Sequence, residues 1–428
     1  MKKYSFISSV ALVFAVCAAC TSVNDNSAES ATENLTPKEQ WSPTYKGSDF
    51  TVPQLPDLFV NYWDYCYNVE ENSTMGLRVS GEFPQCRYFS FSTYDDDNGT
   101  VVSGMSDYEI EPDEGCVNPF VVTSTEKNTY TVWIIPFDTP ENLIANIPCK
   151  NIIKLGEGVK RADLMIREYL GIDEYGGTDL PAIQAFDLST MKEMTTPKRM
   201  QSNVWKEIDP EAFTPQWFDS ETDVPFMLSP TGQYYPNSAT NYLFCRTAIE
   251  ADQVLSYSFI PAPYPKTVEE YKGAPCRYWS MCYGTQYDTR SYYSVYDAQC
   301  NVPDGEMATF VVCLKQNPQL AEIEKTVSDA KANGQYIFLT VWDSERPSYF
   351  GADKPIGNTI TAMYRNILPN EEWEHSMKHM KPVEYGDPVT YSMQDPDNMQ
   401  ADRALHEYGP RGKKVSTQEF LNEMKGED

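Results

Sequence analysis

Cys86-Arg87-Tyr88-Phe89-Ser90-Phe91 and Cys276-Arg277-Tyr278-Trp279-Ser280-Met281 are one six-residue phrase written twice, and that recurrence decides the fold. Arg87, Phe89 and Phe91 alternate with Tyr88, Ser90 and Ser92. Arg277, Trp279 and Met281 alternate in the same way with Tyr278, Ser280 and Cys282. A period of two with one apolar face predicts a half-buried antiparallel strand. Working outward, Pro112-Asp113 matches Pro303-Asp304, and Phe120-Val121-Val122 matches Phe310-Val311-Val312. Asn61-Tyr62 with Cys66 matches Asn241-Tyr242 with Cys245. Thr131-Val132-Trp133 matches Thr340-Val341-Trp342, and Met165 with Arg167 matches Met363 with Arg365. Six matches in one order predict two copies of one domain, over 50–170 and 240–370.

Other segments carry the same signature. Tyr65 to Val69, Gly76 to Val79, Thr100 to Val102, Phe120 to Thr123 and Tyr130 to Ile135 are short runs of strand-forming residues. Asn98-Gly99 and Pro303-Asp304-Gly305 supply turns between them. The exception is Leu320 to Gly334, where Leu320, Ile323, Val327 and Ala330 follow helical spacing. Residues 171–239 are Pro-rich, with Trp205, Trp217 and Phe218, and read as a linker packed across a domain face. Residues 371–428 read as a helix over Asn370 to Lys381, ended by Pro382, and then an acidic tail. The expected fold is all-β: two tandem β-sandwich repeats with a short inserted helix and a C-terminal helix.

Arg277-Tyr278-Trp279-Ser280, Pro303-Asp304-Gly305, Tyr364-Arg365 with Leu368-Pro369, and Tyr408-Gly409-Pro410-Arg411-Gly412 carry a resemblance. The chain resembles a family of exported bacterial proteins of unknown function with paired jelly-roll-like domains. The likeness covers about two thirds of the chain and is firmer in the second copy. It implies a jelly-roll-like fold and an exported location, and supplies no activity.

The N-terminus agrees with export. Met1-Lys2-Lys3 precedes an apolar run from Phe6 to Ala19, too short to span a bilayer. Ala18-Ala19-Cys20 resembles a lipobox, with Cys17 where Leu is usual. The reading is a signal peptide over 1–19, lipidation of Cys20 and a polar tether over 20–49. The expected location is the bacterial outer membrane, lipid-anchored and facing the periplasm or the cell surface. Ordinary cleavage leaving a free Cys20 is the plainer alternative.

Charge narrows the partners. The 428 residues hold 34 Lys and Arg against 62 Asp and Glu, a net charge of −28. That balance argues against nucleic acid, whose recognition needs a basic surface. Three His among 428 residues argue against a multi-His centre. His375 and His379 stand four apart beside Glu371 and Glu372, but no third ligand is identifiable, and a solvated helix face explains them better. Asp95-Asp96-Asp97-Asn98-Gly99 lacks the spaced ligands of a calcium loop and reads as a hairpin turn. No metal or cofactor is expected.

Three arginines are the candidate binding residues: Arg87, Arg277 and Arg365. A guanidinium on an apolar strand face needs a carboxylate or backbone carbonyls, and Asp113 and Asp304 are candidate partners for an ion pair at the sandwich rim, with an anion-binding arginine as the alternative. Arg167 belongs with them as the counterpart of Arg365. Nine Cys follow Cys20, and the recurrence of Cys66 and Cys86 as Cys245 and Cys276 predicts bridges Cys66–Cys86 and Cys245–Cys276. Ser189-Thr190-Met191-Lys192 and Ser124-Thr125-Glu126-Lys127 match Ser-x-x-Lys without the partner motifs of that chemistry. Loop aromatics such as Trp41, Tyr234-Tyr235 and Tyr292-Tyr293 suit a glycan or protein contact as well as a core. The expected function is a cell-envelope binding or structural module. The alternative is a hydrolase of an envelope or extracellular polymer, with carboxylates in the groove between the copies.

Overall fold

The computed structural model describes residues 35–49, 52–70, 73–205, 223–228, 235–285, 287–382 and 396–426. Four five-stranded sheets form two sandwiches. The first sandwich uses ten strands: β1 (Tyr45–Lys46), β2 (Val60–Asn68), β3 (Met75–Glu82), β4 (Tyr88–Asp95), β5 (Thr100–Ser106), β6 (Thr129–Ile135), β7 (Ile152–Lys154), β8 (Arg161–Tyr169), β9 (Ala182–Asp187) and β10 (Lys192–Met194). Its sheets run β1-β2-β8-β4-β5 and β10-β9-β3-β6-β7. The second continues with β11 (Asp223–Pro225), β12 (Met227–Leu228), β13 (Thr240–Ala248), β14 (Gln253–Phe259), β15 (Tyr278–Thr285), β16 (Arg290–Tyr296), β17 (Ala308–Leu314) and β18 (Tyr336–Trp342). After the hairpin β19 (Pro347–Ser348) and β20 (Gly351–Pro355) come β21 (Thr359–Ile367) and β22 (Arg411–Ser416). Here the sheets run β12-β13-β21-β15-β16 and β11-β22-β14-β17-β18. The all-β class and the paired sandwiches are as expected.

Strand alternation sorts side chains between cores rather than between core and water. Phe89 and Phe91 enter the first sandwich with Trp63, Leu164, Val79 and Val132. Trp279 and Met281 enter the second with Tyr257, Phe310 and Tyr364. The opposite face of β4 was expected to meet solvent, yet every residue from Tyr88 to Tyr94 is buried. Tyr62, Tyr88, Tyr94 and Tyr169 of the first copy pack in a third core against Tyr278 and Ile367 of the second. Tyr169 meets Tyr278 edge-on, with ring centroids 5.3 Å apart. The polar-looking faces of both phrases therefore form the seam between the copies.

The topology also reassigns two of the repeat matches. β6 pairs with β3 as β17 pairs with β14, and each is followed by a parallel strand, β7 and β18. Thr131-Val132-Trp133 thus corresponds to a stretch of β17, and Thr340-Val341-Trp342 lies on the parallel strand instead. Phe120-Val121-Val122 lies in a loop, whereas Phe310-Val311-Val312 lies in β17. Parallel neighbours need a crossover. In the second copy that crossover is the helix Leu320–Ala332, which buries Ile323, Val327 and Ala330 on the sheet, as its spacing predicted.

Segment boundaries shift for the same reason. Residues of the expected tether join the body: β1 pairs with β2, and Trp41 is buried and donates to the Pro181 carbonyl at 2.7 Å. β9 and β10, drawn from the expected linker, complete a sheet beside β3. β22, drawn from the expected tail, pairs with β14. A helix does close the chain, at Thr417–Lys425, with Phe420 and Leu421 buried. Asn370 to Lys381 holds only a single 3-10 turn, Met377–His379, capped by the Ser376 hydroxyl. Among the described residues no helix is long and apolar enough to cross a membrane.

Candidate functional site: the seam between the sandwiches

Arg87 and Arg277 each precede their strand by one residue, with backbone N–H groups donating to the Tyr169 and Ile367 carbonyls at 2.9 and 2.8 Å. Both side chains cross the seam. Arg277 Nη1 lies 3.2 Å from Asp107, and Arg87 Nη1 lies 3.6 Å from Asp297. The acids are equivalent: Asp107 Oδ2 accepts from the Phe89 N–H at 3.0 Å, and Asp297 Oδ2 from the Trp279 N–H at 3.1 Å. Each copy thus holds an acid bonded to its own strand and lends an arginine to the other. Tyr271 lies under Arg277 at 3.6 Å, and Tyr264 under Arg87 at 5.6 Å. Asp113 and Asp304, the expected partners, instead sit in turns: the Asp113 N–H bonds Thr129, and Pro303 accepts from Glu306. Turn chemistry placed them there.

A second exchange flanks the first. The segment before β2 crosses to the second copy, and the segment before β13 crosses to the first. Leu55 N–H bonds the Thr289 carbonyl at 2.7 Å, and Tyr235 N–H bonds that of Gly99 at 3.1 Å. Leu55 and Tyr235 both adopt φ of 50°, a left-handed conformation that non-glycine residues rarely take. Their carbonyls receive Arg365 Nη2 at 3.1 Å and Arg167 Nη2 at 2.8 Å. Asp57 completes the second-copy site: its Oδ2 accepts from Tyr278 at 2.9 Å and Ser280 at 2.6 Å, with Arg365 Nε at 3.6 Å. The three candidate arginines thus gather at one seam, and all three are held by buried acids.

Burial governs the acids. It pushes Asp107 up to about 6 against the pull of Arg277, and Asp297 up to about 6 against Arg87. Glu168 on β8 has no such partner. Burial and then Asp173 push it up to about 8, and its Oε1 makes no hydrogen bond among the described residues. The loop above is so close that a Cβ on Gly171 would come within 1.8 Å of that oxygen.

One cluster was not foreseen. Asp64, Asp96 and Asp163 are fully buried beneath residues 200–204 and Tyr235. Ser202 Oγ lies 2.8 Å from Asp96 Oδ1 and 2.7 Å from Asp163 Oδ2. One hydroxyl has one proton, so one of these acids must donate in return. Asp96 also receives Arg161 Nε at 2.7 Å, the Asn203 N–H at 2.8 Å and the Tyr235 hydroxyl at 3.1 Å. Asp96 is therefore the acceptor, and Asp163 carries the proton. Burial, with Asp64 and Asp96 close by, raises Asp163 in the same direction. Repeat comparison offered a signal for this cluster: the positions matching Asp64 and Asp163 hold Phe244 and Thr361 in the second copy.

The remaining candidates fall elsewhere. All nine described cysteines are free thiols. Cys66 faces Asp163 across β8, whereas Cys86 lies beyond Tyr88, which faces Tyr169. With β8 between them and six residues along it, about 20 Å separates the two, beyond bridging range. Cys245 and Cys276 are separated in the same way by β21. Cys245 is moreover one residue out of step with Cys66, so it points into the second core instead. His375 stacks on Tyr408 with ring centroids 3.9 Å apart. The His379 ring nitrogens lie 3.0 and 2.8 Å from the Glu374 and Glu371 carbonyls. Without a helix the spacing of four sets no shared face, and both rings are engaged. Asp95 and Asn98 bond each other in the β4–β5 turn, with Gly99 at φ 70°. Ser189 and Thr190 cap Asp187 in another turn, and Ser124 accepts from the Glu126 N–H in a loop. Tyr235 and Tyr292 are buried, as is Trp41. Cys20 and Tyr234 lie outside the described residues.

No protein-family model matches this chain, and no curated protein does. Two solved structures are similar at very low identity. One is an uncharacterised protein from Burkholderia cenocepacia: 11% identity, TM-score 0.47, covering 89% of this chain and 83% of that one. The other is a protein from Vibrio parahaemolyticus: 9% identity, TM-score 0.37, covering 84% and 90%.

Proposed function

We propose that this chain is a cell-envelope lipoprotein, held at the bacterial outer membrane through Cys20, whose folded body is a binding or structural module. The signal-like N-terminus and the Ala18-Ala19-Cys20 run support the anchor. The reciprocal seam carries the module reading. Asp57, Asp107 and Asp297 are buried and each faces an arginine, so they fix the two sandwiches in one arrangement. A hydrolase in the groove would need such acids open to substrate. Beside the seam, Tyr108, Val117, Val121 and Val122 are 41–56% exposed on the loop after β5. The Thr123 hydroxyl ties that loop to Glu269 of the second copy. An apolar group on a held loop suits a protein partner or the face of a sugar ring.

Two measurements test this reading. Cys20→Ala should move the protein from membranes to the soluble fraction, and an unmodified mature N-terminus by mass spectrometry would reject the anchor. The soluble body on glycan and peptide arrays should bind a ligand that a Val121→Asp/Val122→Asp variant loses. A ligand retained by that variant would move the contact surface elsewhere.

A further inference from the structure

The two copies differ at the heart of the seam. In the second copy, Asp57 Oδ1 accepts from the Phe59 N–H at 3.1 Å, and its Oδ2 faces Tyr278, Ser280 and Arg365. In the first copy, Asn237 takes that place: its Oδ1 accepts from the Ala239 N–H at 3.0 Å. Its Nδ2 then stands where Asp57 has its charged oxygen. Around it are the matching groups Tyr88, Ser90 and Arg167. Ser90 is the cross-strand neighbour of Arg167, and the Tyr88 hydroxyl lies beside both Ser90 and Asn237. A charged acceptor has been replaced by a neutral amide beside a guanidinium and two hydroxyls, of which that of Tyr88 also meets Ser106 Oγ at 3.2 Å.

The consequences are visible. Among the described residues, Ser90 Oγ and Asn237 Nδ2 make no hydrogen bond, although the two residues are 1% and 2% exposed. Arg167, 4% exposed, bonds only neutral groups: Ser92 Oγ at 3.1 Å and the Tyr235 carbonyl at 2.8 Å, with the rings of Tyr62 and Tyr94 at 5.9 and 5.5 Å. A buried guanidinium without a counter-charge is costly. Arg87, Arg277 and Arg365 each have an acid.

We propose that the buried polar cluster of Arg167, Ser90, Tyr88 and Asn237 binds a small monovalent anion, of the size and charge of chloride, which takes the role of Asp57 Oδ2 in the other copy. Asn237 Nδ2, the Ser90 hydroxyl and the Arg167 guanidinium donate to it. The site is closed by both copies, so the anion is bound as part of the folded state. Its occupancy couples to stability by mass action.

The test compares the full chain with Asn237→Asp, which supplies its own carboxylate. In sodium chloride against sodium gluconate at equal ionic strength, the wild type should melt higher. Above saturation its melting temperature should rise by about 1–2 °C for each ten-fold increase in chloride. Asn237→Asp should lose that dependence. Equal responses of the two proteins would overturn the proposal. Should the variant fail to fold, a bromide-soaked crystal of the wild type decides. An anomalous peak within hydrogen-bonding reach of Arg167 and Asn237 supports the site, and its absence there refutes it.

Discussion

Arg277 of the second sandwich lies 3.2 Å from Asp107 of the first, and the carboxylate it reaches also holds the backbone of Phe89. The same relation runs in reverse from Arg87 to Asp297. Two equivalent contacts related by exchange are the signature of a two-fold interface. Here both halves lie on one chain, so the duplicated strand specifies each core and the docking of the cores at once.

Cutting this link on one side leaves a buried charge. Arg277→Ala should cost about 3–5 kcal/mol in a denaturant titration, because Asp107 stays buried. Arg277→Met with Asp107→Leu should recover most of that loss, since burial holds Asp107 up at about 6 despite its arginine. A double variant as unstable as the single one would show that the pair contributes net stability.

Glu168 should make stability pH-dependent. Its value is about 8 when folded against 4.5 in its ordinary state, so the folded chain keeps a proton that the unfolded chain releases. That contribution is fully present below pH 4.5 and is lost as pH rises to about 8. Glu168→Gln should therefore match wild type near pH 4 and exceed it near pH 8, by on the order of 4 kcal/mol. Parallel stability curves for the two proteins would contradict the assignment.

Asp96 and Asp163 should respond oppositely to the same substitution. Asp163→Asn keeps a neutral donor toward Ser202 and should stay within about 1 kcal/mol of wild type near neutral pH. Asp96→Asn places an amide against Arg161 and the Asn203 N–H and should cost at least about 3 kcal/mol. Thermal melts of both variants decide, and the reverse order would reassign the proton.

Alkylation should find the cysteines unbridged. After unfolding without reductant, peptide mapping should recover Cys66, Cys86, Cys245 and Cys276 as labelled thiols. Native labelling should be slow at Cys66, whose thiol burial pushes up to about 12. Recovery of either expected bridge would require β2 and β4, or β13 and β15, to lie closer than this sheet order allows.

Local chemistry made part of this protein legible in sequence. The two-residue alternation of Tyr88 to Phe91 and Tyr278 to Met281 fixed strands and faces, because side chains on a strand have no other choice. Ile323, Val327 and Ala330 fixed a helix by the same logic at another period. The repeat located Arg87, Arg277 and Arg365 as cations on apolar strand faces that must have partners. Which partners, and across which boundary, was a tertiary matter. Phe89 and Tyr88 both look like buried-strand residues, and only the second copy makes the Tyr88 face an interior. Asp107 and Asp297 lie next to no recognisable motif, and they reach their arginines only because the copies face each other with exchanged leading segments. The intervening β8 and β21, which keep the matched cysteines apart, depend on strand order, and periodicity carries no information about order. Sequence spacing reports what a residue's own strand does. What the residue meets is set by the packing of segments nearly 200 residues apart.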